Sequence, residues 1–113
     1  MTTKHTPGPW GLETVRTSSG VCHKVGPFPG RRGDDKPRHA CLYADYPSDS
    51  NPSDQELLAN ARLIAAAPEL LNLVSEAVEL QRKHYGDGML LHMEMATWAK
   101  SASATLAKAR GET

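Results

Sequence analysis

The sequence predicts an α+β fold, in which a small antiparallel three-stranded sheet is followed by a short capped helix and a long antiparallel helical hairpin. All eight prolines except Pro68 lie at or before position 52, which excludes long helices from that half of the chain. Short segments of alternating apolar and polar residues precede position 52, and helical periodicity follows it. We therefore expect a single domain over 1–113, with a β-rich half, 1–52, and a helical half, 53–113.

Three strands are predicted in the β-rich half. Residues 11–16 and 21–25 flank Thr17-Ser18-Ser19-Gly20, whose polar residues and terminal glycine are typical of a hairpin turn. A third strand is expected over 39–46, where apolar and polar residues alternate. Between the second and third strands, 26–37 contains too many glycines and prolines for regular structure, so we expect a projecting loop there.

The N-terminal segment His5-Thr6-Pro7-Gly8-Pro9-Trp10 precedes the first strand. Two prolines and a glycine within three positions exclude a helix, because proline lacks the N–H donor and glycine leaves the backbone unconstrained. The segment is therefore expected to be a rigid lead-in that delivers Trp10 to the core.

The first two helices are predicted from capping and breaking residues. Ser53-Asp54-Gln55-Glu56 has the pattern of a capping box, with Ser53 as the capping residue. This helix is expected to end near Ala67, because Pro68 disfavours helical backbone in the residue before it. Pro68 then begins the second helix, whose near-heptad apolar positions predict its packing stripe: Leu71, Val74, Ala77 or Val78, and Gln81.

The third helix is predicted from about Met89 to Ala109. Gly86-Asp87-Gly88 separates it from the second helix, and Gly111 ends it. Its apolar stripe is expected to pack on the second helix, completing a hairpin that covers one face of the sheet: Leu91, Met95, Trp98, Ala102 and Leu106.

Charge and composition argue against several classes of protein. The 13 Lys and Arg balance the 13 Asp and Glu, so binding to nucleic acid through its phosphates alone is not expected. The sequence lacks the roughly 18 to 20 consecutive apolar residues of a membrane span, and its start lacks a signal-peptide core. We therefore expect a cytoplasmic protein in a bacterial host cell, without membrane contact. Its cysteines, Cys22 and Cys41, are expected to stay reduced.

The cysteines and two histidines form one candidate metal site. If the second and third strands pair, Cys22 and His23 approach His39 and Cys41, and two thiolates with two imidazoles are a tetrahedral zinc set. Neighbouring strand residues point to opposite faces, however, so Cys22 and His23 would share a metal only at a bulge. A buried cross-strand cysteine pair with exposed histidines is the favoured alternative. Zinc is the one cofactor that the sequence suggests.

Two pairs of polar residues are candidates for binding a partner. Arg31 and Arg32 lie beside glycines, where guanidinium groups and backbone N–H groups can hold a phosphate or an acidic protein surface. A solvated loop tip fits the same pattern. Asn60 and Arg62 are about 200° apart on the first helix, so they do not converge on one ligand. One of them is expected to face the sheet, in a structural role that caps a loop or pairs with a carboxylate.

Two segments carry a resemblance to known proteins. His5-Thr6-Pro7-Gly8-Pro9-Trp10, together with the downstream run Ala-Asn-Ala-Arg-Leu-Ile-Ala-Ala-Ala-Pro-Glu-Leu-Leu over 59–71, resembles a widespread group of small phage and prophage proteins of uncharacterised function. The resemblance covers about a sixth of the chain and omits the middle strands and the third helix. It implies an accessory gene of a mobile element, whose product acts by binding.

Three functional hypotheses follow, and none is an enzyme, because no catalytic motif appears in the sequence. The first is a non-enzymatic phage or prophage binding protein that counteracts a host defence system by protein contact, as an anti-CRISPR inhibitor does. The second is an oligomeric sponge for a nucleotide-derived immune signal, held by phosphate-clamping arginines and stacked aromatic rings: Arg31, Arg62, Trp10 and Tyr43. The third is a structural or regulatory module stabilised by zinc.

The third helix also predicts self-association. Its methionines and tryptophan give it more apolar surface than one hairpin and three strands can cover, so we expect a homodimer or a larger homo-oligomer: Met89, Met93, Met95 and Trp98.

Overall fold

A computed structural model describes residues 5–30, 36–47 and 54–112. Within them, an antiparallel three-stranded sheet in the order β1-β2-β3 accompanies three helices, which confirms the predicted α+β fold. The elements in chain order are β1 (Gly11–Arg16), β2 (Gly20–Phe28), β3 (Arg38–Asp45), α1 (Gln55–Ala65), α2 (Ala67–Lys83) and α3 (Gly88–Arg110).

The turn between β1 and β2 forms as predicted. The Thr17 hydroxyl donates to the Gly20 carbonyl at 2.9 Å and accepts from the Gly20 N–H at 3.1 Å. β2 is longer than expected, because it continues through Gly26 and Pro27 to Phe28, across an irregularity in its pairing with β3. The first residues of the predicted loop 26–37 therefore belong to the sheet, while 31–35 lie outside the described residues.

The pairing register divides the sheet into two faces. Val25 is paired with both Leu12 and Ala40, and these three residues share the face that α1 covers, where Val25 is fully buried. Ala61 and Ala65 are the buried residues of α1. Because alanine side chains are small, they let the helix approach the sheet closely. The opposite face carries the exposed side chains of Cys41 and Tyr43.

α1 and α2 meet at a sharp bend. Asp54 caps α1 by accepting from the Leu57 N–H at 2.8 Å, whereas the expected cap, Ser53, lies outside the described residues. Pro68 lies in the first turn of α2, which agrees with the predicted break just before it. The two helices are inclined by 51° to each other.

The N-terminal arm, residues 5–10, packs against this bend. Gly8 lies so close to Pro68 that a Cβ atom on Gly8 would be 2.7 Å from the Pro68 Cβ. Trp10 turns back on the arm, since its indole N–H donates to the Thr6 carbonyl at 3.0 Å. The two segments that carry the sequence resemblance therefore contact each other, and their contact adds to the direct packing of α1 on the sheet.

α2 and α3 form the predicted hairpin, but α2 packs through a different stripe. The Trp98 indole N–H donates to the Leu73 carbonyl at 2.9 Å, and Leu73 and His84 are the most buried side chains on this side of α2. The predicted residues Leu71, Val74 and Val78 are instead 47%, 62% and 52% exposed. Their heptad spacing identifies a helix-packing seam, but α3 packs on the neighbouring side of the helix.

The molecule is extended. Its radius of gyration is 18.4 Å and its principal extents are 59 × 39 × 19 Å, whereas a compact chain of this length has a radius of about 13 Å. Five apolar residues of the described part are fully or almost fully buried: Val25, Ala61, Ala65, Ala66 and Leu73. In the same part, each helix alone is too short or too polar to cross a membrane, and only the bent α1–α2 pair meets the length and composition criteria.

The arm contact predicts a selective effect of adding one methyl group at Gly8. Gly8→Ala places that methyl against Pro68, and overpacking of this kind lowers the free energy of unfolding by about 1 to 3 kcal/mol. Gly88→Ala is the matched control, because no atom lies within 4 Å of the added methyl. Urea unfolding of both variants measures the difference, and equal midpoints for Gly8→Ala and the wild type would contradict the packing role of the arm.

Candidate functional site

An open cleft lined by aromatic and basic residues lies between the arm and the sheet. It has a volume of about 480 Å³, within the range of small-ligand sites. We call it the aromatic cleft, and its lining residues come from the arm, the end of β2 and the start of β3: His5, Thr6, Trp10, Phe28, Arg38, His39 and Ala40.

The aromatic floor of this cleft is held by ring contacts. The rings of Trp10 and Phe28 meet edge to face, with centroids 5.1 Å apart, and His5 meets Trp10 in the same way at 6.3 Å. The hydrogen bond from Trp10 to Thr6 fixes the indole further. An aromatic surface fixed in this way loses little conformational entropy when a partner packs on it.

The polar wall of the cleft is basic. The Arg38 side chain is anchored by its Nε, which donates to the Pro29 carbonyl at 3.0 Å, while the residue remains exposed. His39 lies against Gly26, where a Cβ atom would be 3.0 Å from the imidazole Cδ2. Among the residues that the structure describes, the lining contains no carboxylate. The cleft therefore offers cation and aromatic contacts to an anionic or aromatic group.

Of the predicted binding residues, the structure places Trp10 in the cleft. Tyr43 is on the other face of the sheet, where its hydroxyl donates to the Ser19 Oγ at 2.9 Å near the β1–β2 turn. Arg31 and Arg32 are outside the described residues, within the segment that joins Gly30 to Lys36. The chain therefore carries these two guanidinium groups close in sequence to the basic wall.

Asn60 and Arg62 diverge, as the helix geometry requires. Asn60 is exposed on α1. Arg62 lies against the end of α3, where Gly111 has a φ of 75° and a Cβ atom on it would be 2.7 Å from the Arg62 Nη1. A guanidinium at a helix C-terminus is favoured by the helix dipole. This arrangement supports the structural interpretation of Arg62.

The expected zinc set does not assemble. Cys22 and Cys41 are joined in a disulfide, with their Cα atoms 6.0 Å apart, so the expectation of reduced thiols is wrong in this structure. His23 lies on the opposite face, buried beneath α1, with its Nδ1 2.9 Å from the Thr14 hydroxyl. This corrects the expectation of two exposed histidines, of which His39 alone is exposed. In the described ranges, no three His, Cys, Asp or Glu side chains are placed to hold a metal.

Sequence reasoning missed His5, Phe28 and Arg38 as site residues. Phe28 is the single phenylalanine of the chain and lies in a segment rich in proline and glycine, where an aromatic residue has little local reason to occur. An aromatic residue isolated in this way was the signal from which Phe28 could have been predicted as a site residue. The placement of His5 and Arg38 depends on how the arm folds back, which the sequence pattern does not specify.

Comparison with known proteins identifies one family. The family model described as Salmonella phage P22 protein Y8K6 matches residues 1–113. Neither the comparison with curated proteins nor the comparison with solved structures gives a match.

Two glycines with similar backbone conformations allow a test of the contact between Arg62 and Gly111. Gly86 and Gly111 have φ values of 85° and 75°, but Gly86 has open space around it. Replacing either by alanine costs about 1 to 2 kcal/mol of left-handed backbone strain. Gly111→Ala should cost more, because its methyl also meets the Arg62 guanidinium.

Chemical unfolding of the two alanine variants measures this excess. In an Arg62→Ala background, Gly111→Ala should cost no more than Gly86→Ala does, because the obstructing side chain is gone. An excess that persists without the Arg62 side chain would show that this residue does not pack on the end of α3.

Proposed function

The chain belongs to the family of Salmonella phage P22 protein Y8K6, and we propose that it is a non-enzymatic binding protein that counteracts a host defence system by protein contact. The aromatic cleft is its contact site in this proposal. The partner is a host protein that presents an acidic segment to the cleft.

The make-up of the cleft is the observation that supports this proposal. Protein interfaces are enriched in tryptophan, phenylalanine and arginine, and their strongest contacts centre on such residues. Trp10 and Phe28 provide a fixed apolar floor, and Arg38 provides a guanidinium at its edge. Because the described lining residues include no carboxylate, an acidic partner meets no like charge from them.

The neighbouring sequence adds further positive charge. Arg31, Arg32 and Lys36 follow the end of β2 and precede β3, which supplies Arg38 and His39. Two acidic residues, Asp34 and Asp35, accompany these five basic residues. A local excess of basic residues on a chain of zero net charge accelerates encounter with an acidic patch in the matching orientation.

A nucleotide-derived immune signal is the second candidate ligand. The cleft volume of about 480 Å³ accommodates a small molecule, Trp10 offers a ring for a base, and Arg38 offers a phosphate contact. In this version the protein sequesters the signal and does not block a host protein. The two versions share the cleft and differ in what remains bound to the purified protein.

A charge reversal in the cleft tests the proposed function. The wild-type chain is expressed in bacterial strains that each carry one defined defence system, and each strain is challenged with a phage sensitive to that system. We expect plaque formation to recover in at least one strain, and Arg38→Glu to abolish the recovery because it repels an acidic partner. Lys100→Glu is the matched control, an exposed charge reversal on α3.

Native mass spectrometry of the chain purified from the responsive strain separates the two ligands. A host protein lost from the Arg38→Glu complex supports protein contact, and a retained nucleotide-sized mass supports the sponge. Recovery of plaques in none of the strains, or equal recovery by wild type and Arg38→Glu, would contradict the proposed function of the cleft.

A further inference from the structure

One long side of the α2–α3 hairpin is apolar and uncovered. Leu71, Val74, Val78 and Gln81 of α2 follow alternating spacings of three and four residues, which Tyr85 continues in the turn after the helix, and we call these five residues the apolar seam. This spacing is that of the contact positions in paired helices. Leu71 is 47% exposed, Val74 and Val78 are more than half exposed, and Tyr85 is 86% exposed.

α3 continues this uncovered side with small residues. Trp98 of α3 and Leu73 of α2 face each other across the hairpin. At about 100° per residue, Ala99, Ser103 and Leu106 lie to one side of Trp98, and the seam lies to the same side of Leu73, so the two sets form one side of the hairpin. Ala99 and Ser103 are exposed, and Leu106 is 42% exposed. Small residues let a neighbouring helix approach closely, and none of these positions carries a charge.

The opposite side of the hairpin holds the charges. Glu76, Glu79 and Lys83 of α2 line a cavity of about 640 Å³ together with Glu94 of α3. Lys108 pairs with Glu69 at 2.9 Å on the same side. The two sides therefore differ in chemistry: one is polar and ion-paired, and the other is mainly apolar, with His92 and Arg110 of α3 in the same sector as Ala99 and Ser103.

The chain's own sheet and arm do not cover the apolar side. The arm residues His5, Pro7 and Pro9 line a cleft together with Glu69 and Asn72, which places the arm toward the charged side of α2. The seam residues remain exposed, which agrees with the position of the arm on the charged side of α2. A stripe of this kind is stable in water when a second helix packs on it.

We infer that the apolar seam is the contact between two copies of this chain, in which two hairpins pack into a four-helix bundle. A heptad seam of Leu and Val without charged residues is self-complementary, as a two-fold contact requires. Val78 is the middle residue of the seam and lies nearest the two-fold axis. The inference is independent of the aromatic cleft, which lies at the sheet end of the molecule.

The area of this side is sufficient for a stable pair. α2 has 17 residues and is about 25 Å long, and two adjacent helices are about 20 Å wide. The contact therefore covers about 500 Å² on each copy, which reaches the total of about 1,000 Å² expected of a specific interface. Pairing also explains why a chain with so few buried residues adopts an extended shape.

Sedimentation equilibrium of the full chain at micromolar concentrations tests the inference. The wild type should have about twice the chain mass of 12.3 kDa. Val74→Lys should weaken the dimer by about tenfold or more, since it buries a charge in the seam. Met93→Lys is the matched control, because Met93 is 61% exposed against 62% for Val74 and adjoins the charged cavity.

A cysteine variant reports the contact directly and does not depend on stability. Val78→Cys should give a disulfide-linked dimer under mild oxidation, whereas Met93→Cys should stay monomeric on a non-reducing gel. Circular dichroism confirms that each variant is folded. A monomeric wild type, or a dimer that resists Val74→Lys and yields to Met93→Lys, would overturn the inference and leave the seam to a different occupant or to solvent.

Discussion

The packing of Gly8 on Pro68 is the contact on which the arrangement of this molecule depends. It joins the arm to the bend between α1 and α2, at the point where the chain passes from the sheet layer to the hairpin. Because Gly8 lacks a side chain, the arm lies directly on the proline ring, and Trp10 can then reach Phe28. The same contact therefore adds to the attachment of the sheet, on which α1 also packs directly, and positions the floor of the aromatic cleft.

The bend also determines which side of the hairpin remains free. With the arm placed by Glu69 and Asn72, the charged side of α2 lies toward the rest of the chain and the apolar seam lies away from it. The molecule thus has two separate surfaces of different chemistry. The basic aromatic cleft suits an acidic partner, and the uncharged seam suits a second helix pair. In the function proposed above this separation matters, because pairing of two copies through the seam would leave the cleft accessible.

Turn residues, helix breaks and apolar periodicity predicted the order and type of the elements. Where the structure differs from these predictions, contacts between residues distant in sequence are the reason. The turn at Thr17 and Gly20 depends on neighbouring residues, and so does the helix break before Pro68. The sequence alone was therefore sufficient to predict both. The heptad spacing of Leu71, Val74 and Val78 is typical of a helix-packing stripe, but these residues are exposed, so the side of α2 that faces α3 was predicted wrongly. Trp10 was predicted as a candidate binding residue and lines the aromatic cleft, whereas Phe28 and Arg38 join it there through the folded arm. The disulfide was missed because the compartment argument outweighed the cross-strand proximity of the cysteines.

Native-state hydrogen exchange tests most directly whether the arm contact couples the sheet to the helices. We expect the buried amides of Val25 in β2 and Ala65 in α1 to open with the same free energy, and Gly8→Ala to lower both together, since the arm contact joins the sheet to the helices in addition to the direct packing of α1 on β2. If the Ala65 amide lost protection in that variant while the Val25 amide kept its own, the sheet would be stable without the arm contact. That result would contradict the coupling of the sheet to the helices through the packing of Gly8 on Pro68.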